Sequence, residues 1–298
     1  MSNTSWNDTT TSDEVAETLS SHINGKTILV TGVSPEGIGL EFCRAIASHS
    51  PALIILASRN PSKIAESQTY LSTHCPSVNV KPLVVDLSSL SSVRSAAAEI
   101  NNSVEKVDVL VNNAGIHSQT LTRSKDGNEM TFATNHLGHF LFTNLLLKGA
   151  MKSGGRVVNL TSLSFIVGGV IWEDPNFLNT PFEDGWPAYI QSKTASVLFS
   201  TALAEKFGSR GVYSYSLHPG IIRTPMAYNL DLDSFATRST ATHVVAAFDP
   251  AIEPQNGGYL IDCQISPIMG KEAAWATGRE NWERLWKLSE DLVGEEFS

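Results

Sequence analysis

The sequence predicts an α/β fold: a doubly wound parallel sheet of about seven strands with helices on both faces, in a single domain. Three observations predict it. Short β-rich runs recur along the chain from Gly25 onward, and they are almost continuously apolar, as strands covered on both faces must be. Helical stretches alternate with these runs. A glycine-rich turn stands between the first run and the first helical stretch.

The strand candidates are 26–31 (KTILVT), 52–57 (ALIILA), 80–85 (VKPLVV), 107–112 (VDVLVN), 156–161 (RVVNLT), 212–217 (VYSYSL) and 259–262 (YLID). Pro82 weakens the third, because it withholds a ladder donor. Helices are expected at 38–49, 61–73, 90–104, 127–150, 188–208 and 240–247. A last helix over 277–293 carries Trp282, Leu285, Trp286, Leu288, Leu292 and Val293 along one side. That side suits packing on the sheet or on a second subunit, or closing as a lid. Residues 1–24 are polar, and are expected to form a mobile or loosely docked extension to a domain over 25–298.

Composition narrows the class. The chain has 298 residues, 42% hydrophobic and 17% charged, with a formal net charge of −9. An acidic balance without a Lys/Arg run argues against a nucleic-acid partner. Cys43, Cys75 and Cys263 lack metal-ligand spacing, so neither a disulfide framework nor a zinc site is expected. The first residues lack a secretory pattern and no run is long enough to span a bilayer, so a cytoplasmic protein is expected.

The turn TGVSPEGIG carries the first chemistry. Gly32, Ser34, Gly37, Ile38 and Gly39 form a strand–turn–helix junction in which a pyrophosphate can approach backbone N–H groups at a helix N-terminus. The second strand then ends in Arg59, where an acid would serve the ribose hydroxyls of NAD; Arg59, with Lys63 one turn later, suits a 2′-phosphate and favours NADP(H). Glu36 in the turn pulls the other way. Asp86 and Leu87 are candidates for the adenine ring, with a helix cap as the alternative role for Asp86. Asn113, Ala114 and Gly115 close the fourth strand with small and polar residues fit to lie against a cofactor.

Tyr189 and Lys193 stand four apart in a helical stretch and so share a face. An ammonium beside a phenol favours its ionised form; bringing a tyrosine from about 10 to near 7 takes roughly 4 kcal/mol. Ser162, at the end of the fifth strand, can donate to a substrate oxygen, with Thr161 and Ser164 as nearby competitors. His136, His139 and His218 read as packing or capping histidines, since no carboxylate or cysteine completes a metal set.

TGVSPEGIG, NNAG, YIQSK and HPG, in that order, resemble the short-chain dehydrogenase/reductase family, and NHLGHF at 135–140 is similar to its retinol-dehydrogenase-like branch. The resemblance runs from about Gly25 to the last helix. It implies a Rossmann-type fold, a nicotinamide cofactor and a set of Asn135, Ser162, Tyr189 and Lys193. Within that set Asn135 is implied to anchor a water leading from Lys193 to solvent, and Ser162 aligns with the second of the family's paired hydroxyls. The resemblance also implies that the turn of Pro219, Gly220 and Ile222 packs on the nicotinamide, with Thr224 bonding to it.

The chain departs from the family's pattern in three places. Four residues separate Gly32 from Gly37, one more than is common. An insertion between Ser162 and Tyr189 brings Phe165, Trp172, Phe177 and Trp186, which suit either a bulky apolar substrate or core packing. The segment after Thr224 is short. The expected activity is an NADP(H)-dependent interconversion of carbonyl and alcohol on a largely apolar small molecule, such as a retinoid, a steroid or an aromatic natural product of secondary metabolism. Alternatives are a dehydratase, isomerase or cyclase on the same fold, or a cofactor-sensing binding protein. A homodimer through the helices carrying Asn135 and Tyr189 is a further expectation from the resemblance.

Overall fold

A computed structural model of the chain describes residues 5–220, 240–268 and 271–297. Strands β1 (Thr27–Thr31), β2 (Leu53–Ser58), β3 (Val80–Val84), β4 (Val109–Asn112), β5 (Arg156–Leu160), β6 (Tyr213–Leu217) and β7 (Tyr259–Ile261) are parallel. The sheet order is β3-β2-β1-β4-β5-β6-β7-β8. The apolar runs are continuous because each strand feeds two cores. Leu29, Ile55, Leu110 and Val157 face one, while Ile28, Val30, Ile54, Leu56, Val111 and Val158 face the other. Pro82 is tolerated because β3 is an edge strand.

The eighth strand, β8 (Gln264–Ser266), runs antiparallel to β7 and was not legible. Its two-residue turn, Asp262 and Cys263, holds both φ angles positive at 51° and 64°. Such a turn normally advertises itself with Asn-Gly or Gly-Gly.

Helices α1 (Ser12–Thr18) and α2 (Ser20–Ile23) correct the expectation of a mobile or loosely docked extension. Thr11 and Glu14 form a capping box, and Val15, Ala16, Leu19 and Ile23 are buried with Trp6 against the second core. Arg44 of α3 (Ile38–Ala47) holds Asp13 at 2.9 Å. The apolar residues were too sparse among Ser, Thr and Asn to mark a docked face.

Of the remaining helices, α4 (Pro61–His74) and α5 (Leu90–Ser103) flank the first half of the sheet. Then α6 (Met130–Phe132) passes through a π-helical turn at Ala133–Leu137 into α7 (Gly138–Leu147). In the second half come α8 (Trp186–Phe207), α9 (Ala241–Phe248) and α10 (Arg279–Val293). The apolar side of α10 lies on α8 and the π turn, with Trp286 edge-on to Phe140 at 4.9 Å. Of the expected placements for that side, the structure shows packing within the chain. None of its residues lines the crevice described below. No helix among the described residues is long and apolar enough to cross a membrane.

Candidate active site

The strand order reverses between β1 and β4, and a crevice of about 500 Å³ opens beyond their carboxyl ends. Gly32, Ser34, Gly37 and Ile38 form its floor, Arg59 and Lys63 one end, and Tyr189, Lys193 and Pro219 the other. Asp86, Leu87, Asn113, Ala114 and Gly115 line it between. Gly32 is required twice over. Its φ is +74°, and a Cβ there would stand 2.6 Å from Ala114 Cα. The additional residue of the turn is absorbed by Glu36 at φ 59° and by a Gly37 N–H bond to the Ser34 carbonyl at 3.0 Å. No side chain caps α3, which leaves its first N–H groups for a ligand.

Gly39 lies behind this wall, where a Cβ would meet Asn113 Nδ2 at 2.7 Å, so its smallness serves helix–strand packing. Arg59 is exposed and makes no ion pair among the described residues. Asp86 turns out to do turn work: Oδ1 accepts from the Ser88 N–H at 3.0 Å and hydroxyl at 2.7 Å, while the residue still lines the crevice. Gly220 has φ +83°. Ile222, Thr224 and the short segment that follows lie outside the described residues.

At the other end, Tyr189 and Ser162 share a hydrogen bond. Of the competing hydroxyls, Thr161 is spent on the Lys193 carbonyl at 2.7 Å, and the Ser164 hydroxyl is buried without a partner among the described residues. Lys193 Nζ lies 5.5 Å from the Tyr189 ring centre and donates to the Leu160 carbonyl at 3.1 Å. Burial brings its pKa down to about 8. The expected lowering of Tyr189 is not found in the protein alone. Burial pushes the phenol up, and only the Ser162 hydrogen bond opposes it. Asn135 sits in the π turn with its amide engaged at both ends: Oδ1 accepts the Ile116 N–H at 2.8 Å, and Nδ2 donates to the Ile116 carbonyl and to Ser192 Oγ. The two bonds to Ile116 hold this amide against the strand-end segment that follows Gly115.

The inserted aromatics divide. Phe165 and Phe177 are core residues, and Trp172 packs partly buried under the Arg284 guanidinium. Trp186 stays 47% exposed, edge-on to the Tyr189 ring at 5.7 Å, and meets the His117 ring at a tilt with centres 4.6 Å apart. His117 escaped the sequence reading because nothing but its place after NNAGI marks it. Gly138 escaped too, although a Cβ there would meet the Leu87 carbonyl at 2.2 Å.

The short chain dehydrogenase family model matches residues 26–173. Human retinol dehydrogenase 13 is 34% identical over 91% of this chain and 86% of its own length. The chain belongs to the short-chain dehydrogenase family. It falls in the retinol-dehydrogenase-like branch of that family, whose fold implies a nicotinamide cofactor and an alcohol or carbonyl of a small molecule as substrate. A solved protein of Mycobacterium paratuberculosis, 28% identical, superposes with a TM-score of 0.72 over 93% of this chain and 96% of that one. An NADPH-bound carbonyl reductase from chicken fatty liver shares the fold, with a TM-score of 0.60 at 22% identity over 80% of this chain and 96% of its own.

His136, His139, His218 and His243 of this short-chain dehydrogenase are interior groups. His136 Nε2 meets Ser289 Oγ of α10 at 2.7 Å. His243 is buried beside Phe42. Burial is the main cause holding His136 and His243 down to about 3, and His139 and His218 to about 4. Unfolded histidine titrates near 6.5, so the unfolded chain takes up protons that the native state refuses. The stability from these neutral rings is complete above about pH 6.5 and is lost as pH falls toward 4. Urea midpoints measured across that window are expected to drop steeply, and His243→Leu should flatten the slope.

Proposed function

We propose that this dehydrogenase interconverts a carbonyl and an alcohol on a bulky, largely apolar small molecule, using NADP(H). The observation that carries the reading is the Ser162–Tyr189 hydrogen bond, backed by buried Lys193, at one end of a crevice whose other end bears Arg59. The residues fit a dinucleotide: Gly32 leaves room at the turn, the α3 N-terminus is uncapped, and Arg59 has no ion-pair partner among the described residues. A bound nicotinamide supplies or accepts the hydride. Ser162 donates to the substrate oxygen and orients it. Tyr189, kept protonated by burial, gives its proton to the developing alkoxide. In the reverse direction the phenolate takes that proton back, supported by the positive charge of Lys193. Leu163, Ile166 and Val167, directly after Ser162, and Trp186, just before Tyr189, are exposed large apolar side chains, which supports an apolar substrate.

Following NADPH absorbance against a panel of apolar aromatic and polycyclic ketones tests the reading. Tight binding without turnover on any of them sinks it and favours a cofactor sensor. Arg59→Asp is expected to weaken NADPH about ten- to a hundredfold, the loss of one charge-assisted contact, while sparing NADH. Equal losses for both cofactors would contradict the assignment to NADP(H).

A further inference from the structure

His139 is the one residue whose two ring nitrogens join the cofactor side of the site to the proton side. Thr31 Oγ1 accepts the N–H groups of Asn113 at 3.0 Å and Ala114 at 3.1 Å. Its acceptor capacity is then used, so it gives its own hydrogen away, and His139 Nε2 lies 2.9 Å from it. The other ring nitrogen, Nδ1, is 3.0 Å from the Asn135 carbonyl oxygen. A carbonyl only accepts, so Nδ1 carries the proton. A neutral imidazole with Nδ1 protonated and Nε2 bare satisfies both contacts, and the ring is 3% exposed. From Asn135 the network continues to Ile116, next to crevice-lining Gly115, and to Ser192, next to Lys193.

We propose that His139 is a positioning residue for the reaction, fixing the Asn135 turn, and through it Ile116 and Lys193, against the strand ends that line the cofactor crevice. The assignment rests on the roles given above to Tyr189 and Lys193. Removing the imidazole divides its two contacts unequally. The Thr31 hydroxyl has a second acceptor in the Val111 carbonyl at 3.3 Å, so the turn of Asn113 and Ala114 keeps its bonds. The Asn135 carbonyl has no second side-chain donor among the described residues.

His139→Leu is therefore expected to lower kcat about ten- to a hundredfold, as for reacting groups displaced by about 1 Å, with KM and NADPH affinity unchanged. His139→Asn should restore most of kcat, because an amide at this place reaches the carbonyl one turn back. Asn144 in the same helix makes that bond to Phe140 at 2.9 Å. Full kcat in the Leu variant, an Asn variant no better than Leu, or NADPH affinity falling with kcat would each overturn the proposal. Nitrogen NMR of the wild-type protein gives a readout apart from turnover: a bare Nδ1 with a protonated Nε2 overturns it as well. Tyr189→Phe run in parallel separates the two readings. Turnover surviving there overturns the proposed function, whereas a dead Tyr189→Phe beside a fully active His139→Leu overturns only the positioning role.

Discussion

Tyr189→Phe is expected to lower kcat by about 10²- to 10⁴-fold, the range for losing a positioned general acid, while NADPH affinity stays unchanged. The substitution isolates one oxygen. Phenylalanine keeps the ring volume, the edge contact with Trp186 and the tilted contact with His117. The lost hydroxyl is bonded to Ser162, so Ser162 is left to find water or substrate. Removing a buried polar atom together with a partner that can rehydrate costs little stability. A stopped-flow measurement with saturating NADPH and a turned-over ketone checks the expectation directly. Wild-type turnover in the variant would remove Tyr189 from the mechanism.

The largest stability effect is expected at Trp286→Ala, a loss of about 3–5 kcal/mol for a truncated core aromatic. Trp286 is 5% exposed and packs on Phe140, Phe199 and Phe207, so the cavity opens between α10, α7 and α8. The Lys206 ammonium also loses the ring beneath it, at 4.6 Å. Activity should suffer along with stability, because Ser289 on α10 holds His136, the neighbour of Asn135. Urea unfolding followed by circular dichroism reads the first effect. A midpoint close to wild type would show that α10 is dispensable to the fold.

The sheet was legible because a strand buried on both faces has no choice but a run such as TILVT or LIILAS, and each run ends where the next turn begins. The crevice followed from the same register, which puts Gly32, Arg59, Asp86 and Gly115 just past the ends of adjacent strands. Interactions set by tertiary contact were not legible. The phenol's pKa depended on burial rather than on the offset to Lys193, and burial is a property of the surrounding chain. Docking of α1 depended on a groove formed by α3 and α9, and the role of His139 on Thr31, which lies 108 residues away. Glu36 shows the opposite case, a residue read as a charge whose backbone conformation matters more.

Helix α10 packs on α8 and on the π turn that carries Asn135, and it is joined to the rest by the same chain. Support supplied by a separate subunit is bimolecular and fades as the protein is diluted; support from a tethered helix acts at a fixed local concentration. The packing behind Asn135 is therefore supplied by a segment that the chain carries with it, at a local concentration that dilution does not change.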